Sequence, residues 1–235
     1  MFGSTVLEVV VGLTFCYATV ALIVSTLQEA LASAFKLRAR TLFGGVKTML
    51  NDALARALYA QSLVNPHGEH PSYIEPRDFA AALVDVIQTV PGNHVQLGRD
   101  IDALADPQVR RALAGIYQRA GSADQFRPEL AAWFESAMDR VSGSYKRRSM
   151  MASLLLSLLL AVLFNIDSIH LFQALWLHSP EPPIGWRQFP PAFDVQFVMN
   201  VAGWLLTAST ALFGAPFWFD LMKKTVQLRG TGAKP

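Results

Sequence analysis

The sequence predicts an all-α fold with three transmembrane helices and a helical domain inserted between the first and the second. Three uncharged, mostly apolar runs support this prediction: Val9–Gln28, Ser149–Ile166 and Val195–Phe219, of 20, 18 and 25 residues. Each is long enough for an α-helix to cross the hydrocarbon core of a bilayer. Elsewhere apolar residues recur at helical spacing, without the alternation typical of strands.

The first predicted element, residues 1–35, is a transmembrane helix with a short cytoplasmic extension. We interpret it as a retained anchor, because no basic residue precedes the apolar run and several follow it directly. Helical spacing continues to Leu63, and the pair Gly44 and Gly45 is the expected point of a kink or helix break.

Residues 36–148 are polar enough to form a helical domain. Within it, residues 65–76 contain Pro and Gly and are expected to form an ordered loop, Arg77–Val90 a helix, and residues 91–94 a turn. Asp106 followed by Pro107 is typical of a helix start. That helix is expected to end at Gly121.

A single helix is predicted from Ala123 to Ile166, where its second half is the transmembrane span 149–166. Its length would be about 65 Å at 1.5 Å per residue. The cytoplasmic half carries one apolar stripe. The residues expected at its packing surface and at the membrane interface are Trp133, Tyr145, Lys146, Arg147 and Arg148.

The outer loop, residues 167–194, is expected to begin with an interfacial helix and to continue as an extended, proline-rich segment. The third transmembrane helix is predicted at 195–221, and Trp218 and Asp220 mark its inner interface. A cytoplasmic tail, 222–235, follows.

Charge distribution predicts the orientation of the chain in the membrane. Segment 36–148 holds 15 of the 20 Lys and Arg residues and the tail holds four, whereas the 167–194 loop holds only Arg187. Because basic loops remain in the cytoplasm, the domain and the C-terminus are predicted to be cytoplasmic, and the N-terminus and outer loop periplasmic.

Motifs for catalysis or cofactor binding are not apparent. His67, Glu69 and His70 form a weak candidate metal site, but their spacing does not match a helical metalloenzyme signature, and histidines of such a loop often cap helices or face water. We therefore expect no metal, no cofactor, no small-molecule substrate and no enzymatic activity. The net charge of +2 does not indicate a nucleic-acid partner.

Small and hydroxyl-bearing residues in the first and third spans allow two interpretations. They permit close packing of helices in lipid, within one chain or between subunits, or they line a polar conduction path. The candidate residues are Gly12, Cys16, Thr19, Asn200, Thr207 and Thr210.

Three segments resemble a family of uncharacterised bacterial inner-membrane proteins: SYIEPRDFAAALVD (72–85), MDRVSGSYKRR (138–148) and FGAPFWFDLMKK (213–224). The family has related motifs in the same order, with Trp where this chain has Ser144. The resemblance implies the architecture and a bacterial inner-membrane location. It implies no catalytic residues.

Together these features favour a non-enzymatic scaffold or assembly subunit, anchored in the membrane as a homo-oligomer or as part of a protein complex, that docks partners at the cytoplasmic face. Attachment to the membrane at both ends of the domain suits such a role. The alternative is an oligomeric ion channel or pore-forming subunit, such as a stress or phage-defence effector.

Overall fold

The structure is a computed structural model that describes residues 2–66, 68, 70–180, 184–186 and 195–230. Throughout these described residues the regular structure is helical, which confirms the predicted fold class at the level of all-α. The chain forms two compact units. Unit 1 consists of Met1–Leu31 and Arg148–Pro235, and unit 2 is the continuous stretch Ala32–Arg147.

Unit 2 is a bundle of short helices around one apolar core. Phe79, Leu113, Leu130 and Phe134 are among its fully buried side chains. The Phe79 and Phe134 rings stack with centroids 3.9 Å apart and join two of the helices. Its helices are α2 (Leu37–Leu50), α3 (Asp52–Tyr59), α4 (Pro76–Ile87), α5 (His94–Asp102), α6 (Pro107–Ala120) and the first part of α7 (Ala123–Leu163).

Unit 1 contains the long apolar helices. A small buried cluster of Val20, Val24 and Ala211 lies at its centre, and α8 packs against α9. Its elements are α1 (Phe2–Ala34), the second part of α7, α8 (Ser168–Trp176), α9 (Val195–Thr210), a 3-10 turn (Ala211–Phe213) and α10 (Gly214–Gly230).

Within the described residues, two helical segments are each long and apolar enough to cross a membrane: Thr5–Ala34 and Val195–Thr225. A third candidate exists if α7 and α8 are taken together, although they bend by 54° at the break between them. The finding supports two or three candidate spans.

The predicted start and end of α6 are both confirmed. Asp106 Oδ1 accepts hydrogen bonds from the backbone N–H groups of Gln108 and Val109, at 2.9 and 3.1 Å, and Pro107 occupies the first helical position. Gly121 ends the helix with φ 65°, a conformation that a residue without a Cβ adopts at little cost.

Of the kink or break predicted at Gly44 and Gly45, the break is wrong, because both residues lie inside α2. The chain instead breaks at Lys36 and Asn51, whose φ values are 48° and 72°. A Cβ on Gly45 would lie 2.7 Å from Val141 Cγ2, so this glycine provides space for helix packing. Its role is tertiary, which local sequence alone does not reveal.

Helix α5, over residues 94–102, was not among the predicted elements. Asn93 caps it through its side-chain oxygen, which accepts from Gln96 N at 3.0 Å. Only Leu97 and Ile101 of this helix are buried. Two buried positions four residues apart make too short an apolar pattern to distinguish a nine-residue helix from a loop.

The long helix α7 was predicted correctly from its start, but it ends at Leu163 and not at Ile166. Asn165 has φ 47° and turns the chain toward α8. Asn165 Nδ2 donates to the carbonyl oxygen of Gly185 at 2.9 Å, and Trp204 Nε1 donates to Asn165 Oδ1 at the same distance. This polar turn terminates the helix within the uncharged run.

Candidate functional site

A groove of about 430 Å³ lies on unit 2, between the loop that precedes α4 and one face of α7. Its volume falls in the range of ordinary ligand and peptide-anchor pockets. The loop contributes Ser72, Tyr73, Ile74 and Pro76. The other lining residues are Arg38, Thr41 and Leu42 from α2 and Phe134, Glu135, Met138, Asp139, Val141, Ser142 and Tyr145 from α7.

The loop wall of this groove is held in place by its apolar side chains. Ile74 is buried in the unit 2 core, and Pro76 begins α4. Across the groove, Phe134 stacks on Phe79 of α4. These contacts fix the loop against α7, so the groove exists before any partner binds.

Carboxylates surround Tyr73 at the rim. Tyr73 Oη donates a hydrogen bond to Glu75 Oε2 at 2.8 Å. That bond raises the pKa of the Tyr73 phenol, and the negative charges of Glu75, Glu135 and Asp78 raise it further. Glu135 and Asp139 themselves line the groove. We call Glu75, Asp78, Glu135 and Asp139 the acidic rim.

The predicted packing residues of α7 have different environments. Trp133 is partly buried and packs on the unit 2 core, while Tyr145 lines the groove. Lys146, Arg147 and Arg148 are exposed. The stripe therefore serves two surfaces, the core and the groove.

In unit 1, a chain of hydroxyl groups links three helices. Tyr17 Oη donates to Ser168 Oγ at 3.0 Å, and Ser168 Oγ lies 2.8 Å from Thr207 Oγ1. Thr207 Oγ1 in turn donates to the carbonyl oxygen of Ile166 at 2.6 Å. With the protons in this order each hydroxyl donates once, and α1, α8 and α9 are joined.

This series of hydrogen bonds continues to the helix break before α10. Thr210 Oγ1 donates to the Thr207 carbonyl oxygen at 2.6 Å, and Trp218 Nε1 donates to the Thr210 carbonyl oxygen at 2.8 Å. The Trp218 ring lies 5.0 Å from the Tyr17 ring. Thr207, Thr210 and Trp218, which the sequence indicated separately, are thus brought together. Asp220 is exposed, 3.8 Å from Lys223.

Asp167, which sequence reasoning did not select, has a buried carboxylate next to this series of hydrogen bonds. Its Oδ1 accepts from Ile169 N at 2.8 Å and His170 N at 3.1 Å and so caps α8. A Cβ on Gly203 would lie 1.6 Å from that oxygen. Asn200 also contacts this carboxylate. In the orientation of its side-chain amide in which both the oxygen and the nitrogen have suitable partners, the nitrogen donates to Asp167 Oδ2 at 3.2 Å. An Asp one residue before a helical segment is the sequence signal that could have identified this cap.

The remaining candidates from the first span lie at helix contacts or on the surface. A Cβ on Gly12 would be 2.8 Å from Leu175 Cδ1, which identifies a close approach of α1 and α8. Cys16 is partly buried against the Val20 cluster. Thr19 is exposed, and its hydroxyl donates to the Phe15 carbonyl oxygen at 2.9 Å within the same helix.

Of the three candidate metal ligands, His67 and Glu69 lie outside the described residues, and His70 lies inside them. The His70 ring packs on the rings of Phe43 and Tyr59, with centroid distances of 4.7 and 5.4 Å. Among the described side chains there is no group of three or more His, Cys, Asp or Glu residues placed to hold a metal ion.

Comparisons of the chain with protein-family models, curated proteins and solved structures found no match. The family resemblance of segments 72–85, 138–148 and 213–224 stays a prediction. The first two of these segments supply most of the groove, because Ser72–Pro76 and Met138–Tyr145 form its two facing walls.

Proposed function

We propose that this protein is a non-enzymatic, membrane-anchored scaffold or assembly subunit that docks partners through the groove of unit 2. The observation that carries the proposal is the groove itself: a preformed surface with an apolar floor and a charged rim, on a unit separate from the apolar helices. Such a combination is typical of interaction sites, in which apolar area supplies affinity and charges supply selectivity.

The connectivity of the chain supports this role. Unit 2 is a continuous insertion whose two ends, Ala32 and Arg147, both lead into unit 1. If the candidate spans of unit 1 cross the membrane as three helices, unit 2 is tethered to it twice. A double tether restricts diffusion to the membrane plane and raises the effective concentration of the groove for partners there.

The proposed location is the bacterial inner membrane, with unit 2 and the C-terminus in the cytoplasm. The excess of Lys and Arg in segment 36–148 and in the tail supports this orientation. The motif resemblance supports the bacterial inner membrane. Among the candidate pore residues, buried Thr207 donates to the carbonyl oxygen of Ile166 outside its own helix, which favours helix packing over a conduction path at that position.

Site-directed crosslinking tests the docking proposal. In a Cys16→Ala background, Ser142→Cys places a thiol in the groove and Gln118→Cys places one on exposed α6. A short thiol- and amine-reactive crosslinker in intact membranes should give a discrete product of higher mass from Ser142→Cys only. Absence of a product, or the same product from both positions, would contradict docking at the groove.

A conductance assay separates this proposal from the pore alternative. Purified protein in liposomes is expected to conduct no more than empty liposomes. Conductance that changes in the Thr207→Val or Thr210→Val variant would instead establish a pore and overturn the scaffold proposal.

A further inference from the structure

We propose that the groove of unit 2 receives the basic C-terminal segment beyond the last candidate span, residues 226–235, of a second copy of this chain. The inference rests on the proposed function, since it names the partner of the same docking site. It makes the assembly a head-to-tail homo-oligomer, in which the tail of one copy enters the groove of the next.

The groove side of the contact is selective for a cation. Of the charged side chains that line it, Glu135 and Asp139 are acidic and Arg38 is basic, which gives a lining charge of −1. Glu75 and Asp78 do not line the groove, but they add negative charge next to Tyr73 at its edge. Phosphate-bearing ligands, such as anionic lipid headgroups or nucleic acids, are disfavoured next to this rim.

The floor of the groove is apolar, so a bound ligand must also carry apolar groups next to its basic ones. Leu42, Ile74, Phe134, Met138 and Val141 form it. A ligand that satisfies both parts is therefore a peptide that carries basic and apolar residues close together in sequence. The acidic rim would set its register, and the apolar floor would supply most of the binding free energy.

The C-terminal segment has this chemistry. Beyond the candidate span its sequence is VQLRGTGAKP, which carries Arg229 and Lys234, contains no carboxylate side chain, and includes the apolar residues Val226 and Leu228. Helix α10 continues to Gly230, five residues beyond the last residue of the candidate span Val195–Thr225. The segment therefore extends past the apolar part of its helix.

Membrane geometry favours contact between copies. In the proposed orientation both the tail and unit 2 lie on the cytoplasmic side, so every copy in a membrane presents both halves of the interface. A contact between two different surfaces is heterologous, and it closes into a ring if the rotation between copies allows it.

The test uses two distinguishable full-length copies, both Cys16→Ala, expressed together. One carries Ser142→Cys in the groove, and the other carries Gly232→Cys in the tail together with an added tag that changes its mass. A short bis-maleimide should join them into a product with the summed mass. Neutralising the rim in the first copy, Glu135→Gln with Asp139→Asn, should lower the yield of that product about tenfold.

The matched control neutralises two exposed carboxylates at the start of the same helix, Asp124→Asn with Glu129→Gln, which do not line the groove. It should leave the yield unchanged. Neutralising the tail, Arg229→Gln with Lys234→Gln, should lower the yield as much as neutralising the rim does. Charge-conserving substitutions at the same two positions of the tail, Arg229→Lys alone or with Lys234→Arg, should preserve it.

Three outcomes overturn the inference. The groove thiol forms no product with the tail thiol, or rim and control variants give equal yields, or the neutral tail gives the same yield as the basic one. If the amine-reactive crosslinking from Ser142→Cys still captures another protein, the docking function stands and only the homo-oligomeric partner is wrong. If that crosslinking also gives nothing, the docking function fails as well.

Discussion

Asp106 and Asn51 each cap the N-terminus of a helix, and their side chains are hydrogen-bonded to each other. Asp106 caps α6, and its Oδ2 accepts a hydrogen bond from Asn51 Nδ2 at 3.2 Å. Asn51 Oδ1 in turn accepts from Leu54 N at 3.0 Å and caps α3. The N–H groups of Val109 and Gln108, followed by the Asn51 amide, hold the pKa of the Asp106 carboxyl below its usual value of 3.8.

Asp106 therefore makes stability depend on acid pH. Because its folded pKa is lowered, the stabilisation is present above its usual pKa of 3.8 and is lost as the pH falls through the folded value. Asp106→Asn keeps a capping oxygen and should flatten the loss of stability below about pH 4. Asp106→Ala should lower stability at neutral pH. Thermal unfolding of the full chain in detergent from pH 2 to 7 measures both, and an unchanged acid slope in Asp106→Asn would contradict the role of the carboxylate.

Tyr59 has a buried hydroxyl with no hydrogen-bond partner among the described residues. Burial raises the pKa of this phenol, and its ring packs edge-on against Phe43 with centroids 4.8 Å apart. Tyr59→Phe keeps the ring contact and removes the unsatisfied group, so the free energy of unfolding should stay equal or rise by up to about 1 kcal/mol.

Tyr117→Phe is the matched control, because Tyr117 Oη donates to the His94 carbonyl oxygen at 2.9 Å. That variant should lose about 0.5–1.5 kcal/mol. Denaturant unfolding monitored by circular dichroism measures both changes. Equal losses in the two variants would show that Tyr59 has a partner after all.

At the scale of helix packing, Gly45 sets the distance between α2 and α7. The stiff, β-branched side chain of Val141 cannot move away from an added methyl group without a change of rotamer. Gly45→Ala should cost about 1–3 kcal/mol of stability. Gly44→Ala, one residue away with no atom within 4 Å of its new Cβ, should gain up to about 1 kcal/mol. The order of the two melting temperatures tests this packing, and the reverse order would refute it.

In unit 1, Thr207 joins α9 to the start of α8 through hydrogen bonds. It is fully buried and bonded to both Ser168 and the Ile166 carbonyl. Thr207→Val keeps the shape and should lose about 0.6–2 kcal/mol in detergent. Thr19→Val removes an exposed hydroxyl that bonds only within its own helix and should change stability little. Equal effects of the two substitutions would argue against an interhelical hydrogen bond.

Both ends of α6 could be predicted because they depend on neighbours in sequence, at Asp106 and Gly121. The role of Gly45 could not be predicted from neighbouring residues. The glycine at this position leaves space for Val141, which is almost 100 residues away in sequence. The groove has the same origin. Its walls, residues 72–76 and 134–145, are distant in sequence and are brought together by tertiary contacts such as the burial of Ile74 and the stacking of Phe134 on Phe79. Tyr145 was the one predicted site residue among its lining.

For the whole molecule, the sequence predicted apolar helices and a separate helical domain from charge and hydropathy alone. The structure has two or three candidate spans and two compact units among its described residues. The second predicted span was hard to delimit, because the uncharged run 149–166 continues past the end of α7 at Leu163. Periodicity does not indicate where a polar turn such as Asn165 will end a helix.

The proposed role depends on the groove facing the cytoplasm, which thiol labelling in intact cells can measure. Starting from Cys16→Ala, single cysteines are placed at Gln118 on α6 and at Ser179 after α8. A maleimide reagent that does not cross the inner membrane should label Ser179→Cys in intact cells with a permeable outer membrane, and Gln118→Cys only after the inner membrane is opened. Labelling of Gln118→Cys before opening, or protection of Ser179→Cys, would contradict the proposed orientation and with it docking at the cytoplasmic face.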